Sequence, residues 1–248
     1  MSAFADHFSG QAGAYAAHRP SYPPGLIQQL ASLCAGRALA WDAGTGSGQA
    51  AVLLGEHFQR VLATDASAEQ IRHAQAHPRV EYRVARAEHS ALPDQSADLV
   101  TVAQALHWFD LPQFYAEVRR VLRPGGIVAA WCYGNPTIDP EVDPVVERFY
   151  TERVGRYWSR ERRHVEAGYR DLPFPFEELP AADWALEAKL TREEFLGYVA
   201  TWSAVAAARK AEDVDPILDF GRDLMDAWPE GSRRRVIRWP VSLRIGRC

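Results

Sequence analysis

Leu39-Ala40-Trp41-Asp42-Ala43-Gly44-Thr45-Gly46-Ser47-Gly48 decides how this chain is read. An apolar strand runs into a carboxylate, then into three glycines at alternating positions, then into a helical pattern. Glycine allows backbone geometry that a side chain forbids and lets a ligand lie against the main chain. The helix behind the turn presents unpaired N–H groups. The stretch therefore predicts a nucleotide-type site at the end of a first strand. It is not the phosphate-binding P-loop, because no Gly-Lys-Ser/Thr follows. A dinucleotide fingerprint expects Gly or Ala where Gln49 stands, so an NAD-dependent oxidoreductase is the weaker reading.

Working outward, strands are expected at Ala38–Asp42, Arg60–Asp65, Val80–Ala85, Asp98–Ala103 and Ile127–Tyr133. Helices are expected at Gln49–His57, Ser67–Ala76 and Leu111–Leu122, with an earlier one opened by Pro24. Ser67 with Gln70 has the form of a capping box. Alternating β and α elements imply a doubly wound, mostly parallel sheet with helices on both faces. Asn135 to Pro180 breaks the rhythm with six prolines and many arginines and aromatics. It reads as an inserted helical cap. A strand near Trp184–Ala188, helices at Thr191–Arg209 and Asp213–Trp228, and an alternating Val241, Leu243, Ile245 strand complete seven strands. The expected division is a core with an N-terminal helical lid over 1–134, a cap over 135–183 and a completion of the core over 184–248.

Composition narrows the class. The chain has 248 residues, 47% of them hydrophobic, enough for one large α/β domain. The net charge of −4 gives no global attraction for nucleic acid. Cys34, Cys132 and Cys248 form neither a metal set nor a disulfide framework, which fits a reducing cytoplasm. No signal peptide or membrane span is read.

Three further strand ends carry candidates. Asp65 ends the second strand, where a carboxylate accepts bonds from both hydroxyls of a ribose; it also suits a helix N-terminus ahead of Ser67. Glu88, after the third strand, is placed to meet an adenine amino group or to be a solvated loop carboxylate. The fourth strand runs into Gln104-Ala105-Leu106-His107-Trp108-Phe109. Ligands of such sheets bind beyond the strands' carboxyl ends, so Gln104, His107 and Trp108 are candidates, while turn and core roles suit His107 and Trp108 equally. Phe109 is assigned to the core.

Taken together, Asp42–Gly48, Asp65-Ala66-Ser67, Ala87-Glu88, Gln104–Trp108 and Leu122-Arg123-Pro124-Gly125-Gly126 resemble the class I S-adenosylmethionine-dependent methyltransferases. Within them the chain is most similar to the small-molecule group of methyltransferase type 11 and trans-aconitate methyltransferase-like proteins. Phe8–Tyr22 and Trp239–Arg247 resemble the ends of that group.

The resemblance implies a Rossmann-like fold and S-adenosylmethionine as cofactor. It implies that Asp42, Ala43, Gly44 and Gly46 hold the methionine part, Asp65 the ribose, and Ala66 the adenine face. Ala87 and Glu88 would meet the adenine edge, Gln104 would lie beside the methionine, and Arg19 would pair with its carboxylate. Tyr15 or Tyr22 would close the pocket.

A sulfonium methyl is already activated, so alignment and water exclusion are the protein's tasks. An anionic acceptor needs no base. A hydroxyl, amine or carbon acceptor does, and His107 is then the candidate. Arg153, Arg156, Arg160, Arg162, Arg163 and Arg170 crowd the cap. They suggest a small polar or carboxylate-bearing acceptor beneath the cap, or a solvated face balanced by Glu152, Glu161, Glu166 and Asp171. The alternatives are a macromolecular methyltransferase and a cofactor-binding module without turnover. No metal is expected, and the oligomeric state is not legible.

Overall fold

The computed structural model describes residues 21–212 and 215–248. Helix α1 (Pro24–Leu33) precedes β1 (Leu39–Ala43). Then follow α2 (Gln49–Gly55), β2 (Arg60–Asp65), α3 (Ala68–Arg72), β3 (Val80–Val84), β4 (Ala97–Ala103), α4 (Leu111–Val121) and β5 (Leu122–Tyr133). Helix α5 (Asp143–Arg148) runs on as a π-turn over Phe149–Arg153, and α6 (Arg162–Glu166) ends the cap's helices. Strands β6 (Glu177–Leu179) and β7 (Trp184–Leu190), helices α7 (Arg192–Ala200), α8 (Ser203–Ala211) and α9 (Pro216–Ala227), and β8 (Arg235–Arg247) complete the chain.

The sheet order is β3-β2-β1-β4-β5-β8-β6, with β7 also paired to β8. Strands β1 to β5 run parallel, and β8 is antiparallel to β5, β6 and β7. This is the Rossmann-like, mostly parallel sheet expected. The chain winds outward from β1 to β3, then returns to β4 on the other side of β1. The crevice beyond the ends of β1 and β4 is therefore the switch point where such sheets take ligands.

Period two with both faces covered explains the apolar strands. On β5, Ile127, Ala129, Trp131 and Tyr133 join the core under α1, α2 and α7 to α9. Val128, Ala130 and Cys132 join the opposite core, with Phe114, Tyr115 and Val118 of α4. The cap serves both: Val142, Phe149 and Tyr150 enter the first, and Val165, Tyr169 and Phe174 the second.

Three expectations are corrected. Glu177–Leu179 lies in the stretch read as a helical cap, yet it adds a short strand to the sheet because it finds Leu179↔Ile245 and its neighbours on the edge of β8. The single helix expected over Thr191–Arg209 is two. Thr201 Oγ1 donates to the Tyr198 carbonyl at 2.6 Å, and Trp202 turns extended at ψ 138°. Its indole then packs on Phe149, Tyr150, Trp158 and Tyr198. The helix expected over Ser67–Ala76 stops at Arg72; Gln75 instead donates its N–H to the Ser47 carbonyl at 3.0 Å.

Candidate functional site

A cavity of about 570 Å³ opens at the switch point, within the range of small-molecule sites. Its floor is the turn after β1. The Gly44 and Thr45 N–H groups donate to the Thr64 carbonyl at 2.8 and 2.9 Å, pinning the turn to β2. Gly46 has φ +55°, and a Cβ there would project into space bounded only by Gln70 Oε1 at 3.8 Å. Gly48 has φ +85°, and a Cβ there would run into the Tyr82 phenol. One glycine leaves room for a ligand; the other lets β3 close on the turn.

Asp42 lies beneath this turn, fully buried, and neither it nor Ala43 is on the cavity wall. Thr45 Oγ1 donates to Asp42 Oδ2 at 2.6 Å, and Thr101 Oγ1 to Oδ1 at 2.7 Å. Burial pushes the carboxyl up to about 6 despite these two bonds. Asp42 thus shapes the turn from behind, through Thr45.

Asp65, Ala66, Ala87, Glu88, Gly44, Gly46 and Gln104 all border the cavity. Asp65 accepts the Gly46 N–H at 2.9 Å and the Ser67 N–H at 2.8 Å. Glu88 is not a solvated loop carboxylate: its side chain is 11% exposed. It accepts the Asp110 N–H and the Arg86 Nε–H, both at 3.0 Å. Gln104 stands at φ +58°, strained for a non-glycine residue. Its Nε2 donates to the Tyr133 carbonyl at 3.2 Å, while its Oε1 is buried with no partner. An acceptor left so on a cavity wall suits a ligand that donates, as an amino-acid ammonium does. Glycine space, strand-end carboxylates and this orphan oxygen together fit the adenosyl and amino-acid parts of the expected cofactor.

The far end of the cavity is aromatic and cationic. Tyr22, His107 and Trp108 border it. Tyr22 stands edge-on to Trp131, centroids 5.5 Å apart. His107 Nδ1 is 2.9 Å from the Tyr169 hydroxyl. Burial, then the Arg162 and His164 charges, pushes His107 down to about 3, so the ring is neutral and a weak base. Phe109 also reaches the wall, packed on Phe114 at 4.9 Å. Arg19 and Tyr15 lie outside the described residues.

The cap's arginines divide sharply. Arg153 and Arg156 pair with Glu212, and Arg160, Arg163 and Arg170 are exposed. Among them only Arg162 borders the cavity. Sequence reasoning missed Tyr133, Asn135, Trp158, Thr201 and Trp202 on the wall. The hydroxyls flanking Trp202 (Thr201 and Ser203) were the signal for the helix break that brings them there. Among the described residues, no group of His, Cys, Asp and Glu could hold a metal, and no helix is long and apolar enough to cross a membrane.

Residues 41–130 match the family described as a methyltransferase domain. A provisionally named methyltransferase of Dictyostelium discoideum is 38% identical over 98% of this chain and 95% of its own length. An uncharacterised methyltransferase of Mycobacterium tuberculosis is 42% identical, over 48% of this chain and 49% of its own. Among solved structures, a provisionally named type II methyltransferase from Anaeromyxobacter dehalogenans superposes with a TM-score of 0.87 at 48% identity. That match covers 92% of this chain and 97% of the other.

Proposed function

The chain belongs to the class I S-adenosylmethionine-dependent methyltransferases, and on that premise we propose that it methylates a small molecule held in this cavity beside the cofactor. One observation carries the reading. A single cavity runs from Asp65 and Glu88, past the glycine turn and Gln104, to His107 and Arg162 under the cap. A cavity of about 570 Å³ shared with a cofactor suits an acceptor of few atoms.

When bound, the cofactor supplies an activated sulfonium methyl. Asp65 takes the ribose hydroxyls, Ala66 lies on the adenine face, and Ala87 and Glu88 meet its edge. Gly44, Gly46 and Gln104 cradle the methionine part, with Asp42 and Ala43 supporting the turn from below. Arg19 and Tyr15 are assigned to the methionine carboxylate and the pocket mouth. Tyr22, Trp108 and the cap exclude water and align the acceptor. Burial and the charges of Arg162 and His164 hold His107 below the ordinary imidazole range, which makes it a poor base for a hydroxyl or amine. With that poor base and the Arg162 guanidinium both on the wall, the site favours an acceptor that is already anionic, such as one bearing a carboxylate.

Calorimetry with S-adenosylhomocysteine, then a labelled-methyl assay over small carboxylic acids, phenols, amines and RNA, tests this. Binding followed by transfer to a small acid supports it. Transfer to RNA alone overturns the small-molecule assignment, and binding without any transfer points to a non-catalytic module.

A further inference from the structure

We propose that Tyr169 holds His107 as the neutral Nε2–H tautomer, and that His107 and Arg162 together form an oxyanion-binding corner at the acceptor end of the cavity. This rests on the reading of the cavity as a methyl-acceptor site.

Tyr169 is fully buried and sits at φ +61°, immediately after Gly168 at the same angle. Strain of this kind in a bulky residue persists only where its surroundings demand it. The phenol oxygen lies 2.9 Å from His107 Nδ1, its hydrogen-bond partner among the described residues. An N–H can only donate. If Nδ1 carried the imidazole proton, the phenol oxygen would accept it and its own hydrogen would have no acceptor among the described residues. A buried donor left so costs about 1–3 kcal/mol. The phenol therefore donates, Nδ1 accepts, and the proton resides on Nε2. With Nδ1 turned to Tyr169, Nε2 is the nitrogen left to the cavity.

A second proton is opposed by burial and by Arg162 and His164. Arg162 and His164 of α6 face the ring, and Cys132 of β5 and Tyr22 face Tyr169 behind it. None of these is a carboxylate that would stabilise an imidazolium. His164 is itself engaged with Asp171 at 2.7 Å.

Arg162 supplies the charge. Its guanidinium lies over the Trp158 ring at 4.7 Å and the Tyr150 ring at 5.6 Å. Nε donates to the Tyr150 hydroxyl and Nη2 to Asn135 Oδ1, each at 3.0 Å. Two of the five N–H donors of an arginine are thus spent on fixing its plane. No described carboxylate lies within salt-bridge distance: Glu166 reaches it only through the Tyr150 hydroxyl, and Glu161, also on the wall, makes no bond to it. A clamped fork with donors left over, beside a neutral N–H donor, matches a carboxylate or similar planar oxyanion.

Long-range proton–nitrogen NMR of the imidazoles in the labelled full chain tests this, with His107→Gln identifying the signal. The expected wild-type pattern is Nε2–H, unchanged from about pH 5 to 8. Tyr169→Phe should give a tautomer mixture while the ring stays neutral, because burial, Arg162 and His164 still oppose its protonation. Benzoate, the probe anion, should shift the His107 signal where benzamide does not, and Arg162→Gln should weaken benzoate roughly tenfold or more. An Nδ1–H pattern or a titrating ring in the wild type overturns the tautomer assignment, whether or not Tyr169→Phe folds. A signal unmoved by benzoate overturns the oxyanion corner. S-adenosylhomocysteine binding, measured on the same sample, fails separately if the methyltransferase reading of the cavity is wrong.

Discussion

Asp65 and Gly46 are joined by one hydrogen bond, the Gly46 N–H donating to Asp65 Oδ2 at 2.9 Å. The other oxygen takes the Ser67 N–H at 2.8 Å. One carboxylate therefore sets both the glycine turn and the entry to α3, at the place assigned to the ribose. Asp65→Ala should weaken S-adenosylhomocysteine binding by roughly 10- to 100-fold, the worth of hydrogen bonds to a charged group. Asp65→Asn, which keeps one oxygen, should fall between. Calorimetry beside urea melts separates lost contact from a disordered turn. Wild-type affinity in Asp65→Ala would end the ribose assignment.

Gly46 and Gly48 should respond differently to the same methyl group. Both stand at positive φ, which costs an alanine about 1 kcal/mol. At Gly46 the added Cβ meets nothing closer than 3.8 Å, so Gly46→Ala should fold, lose about that much, and bind S-adenosylhomocysteine more weakly because the methyl occupies ligand space. At Gly48 it strikes the Tyr82 phenol, with Cζ at 2.9 Å. Gly48→Ala should lose clearly more stability in thermal melts. Equal losses would mean that the turn relaxes around either methyl.

The wall residues assigned to the cofactor could be picked out from the sequence because they are local to strand ends. Asp42 to Gly48, Asp65 and Glu88 lie at or just beyond the ends of β1, β2 and β3, the first two plainly apolar, and the parallel sheet brings those ends together. The wall assigned to the acceptor was not legible, because its partners are distant in sequence and chosen by burial. His107 meets Tyr169 62 positions away. Six arginines look alike in composition, and only packing on Trp158 and Tyr150 distinguishes Arg162. Trp202 sits inside a helical periodicity, and its tertiary contacts override that pattern. The resemblance placed Asp42 with the residues that hold the methionine part; its two threonine donors come from Thr45 and from β4, and only the latter needs the fold.

Asp42 should make the protein more stable as the pH falls toward 4. Burial lifts its carboxyl to about 6, from an ordinary 3.8. The folded state then holds this proton more tightly than the unfolded one, so between about pH 4 and 6 stability declines as pH rises. The full difference is on the order of 3 kcal/mol. Urea melts of the wild type and Asp42→Asn check it: the wild type should gain on the variant at about pH 4.5 relative to pH 7. A constant gap would show an ordinary carboxylate.

Glu117 should act in the opposite direction and hold the adenine end together. It accepts the Ser90 N–H at 2.7 Å and the Ser90 hydroxyl at 2.6 Å, and Arg120 binds both of its oxygens at 2.8 Å. Burial alone would raise its carboxyl, but these donors outweigh it and bring it down to about 2. Its contribution is complete above the ordinary 4.5 and is lost as pH falls through the folded value. Ser90 lies two positions beyond Glu88, so this anchor also fixes the loop assigned to adenine. Glu117→Gln should cost about 1–3 kcal/mol at neutral pH, with the deficit closing between about pH 4.5 and 2. It should also weaken S-adenosylhomocysteine binding several-fold without touching the ligand. Acid titration by circular dichroism and calorimetry at pH 7 read the two effects, and an unchanged acid limb would mean that Ser90 and Arg120 do not hold Glu117 ionised.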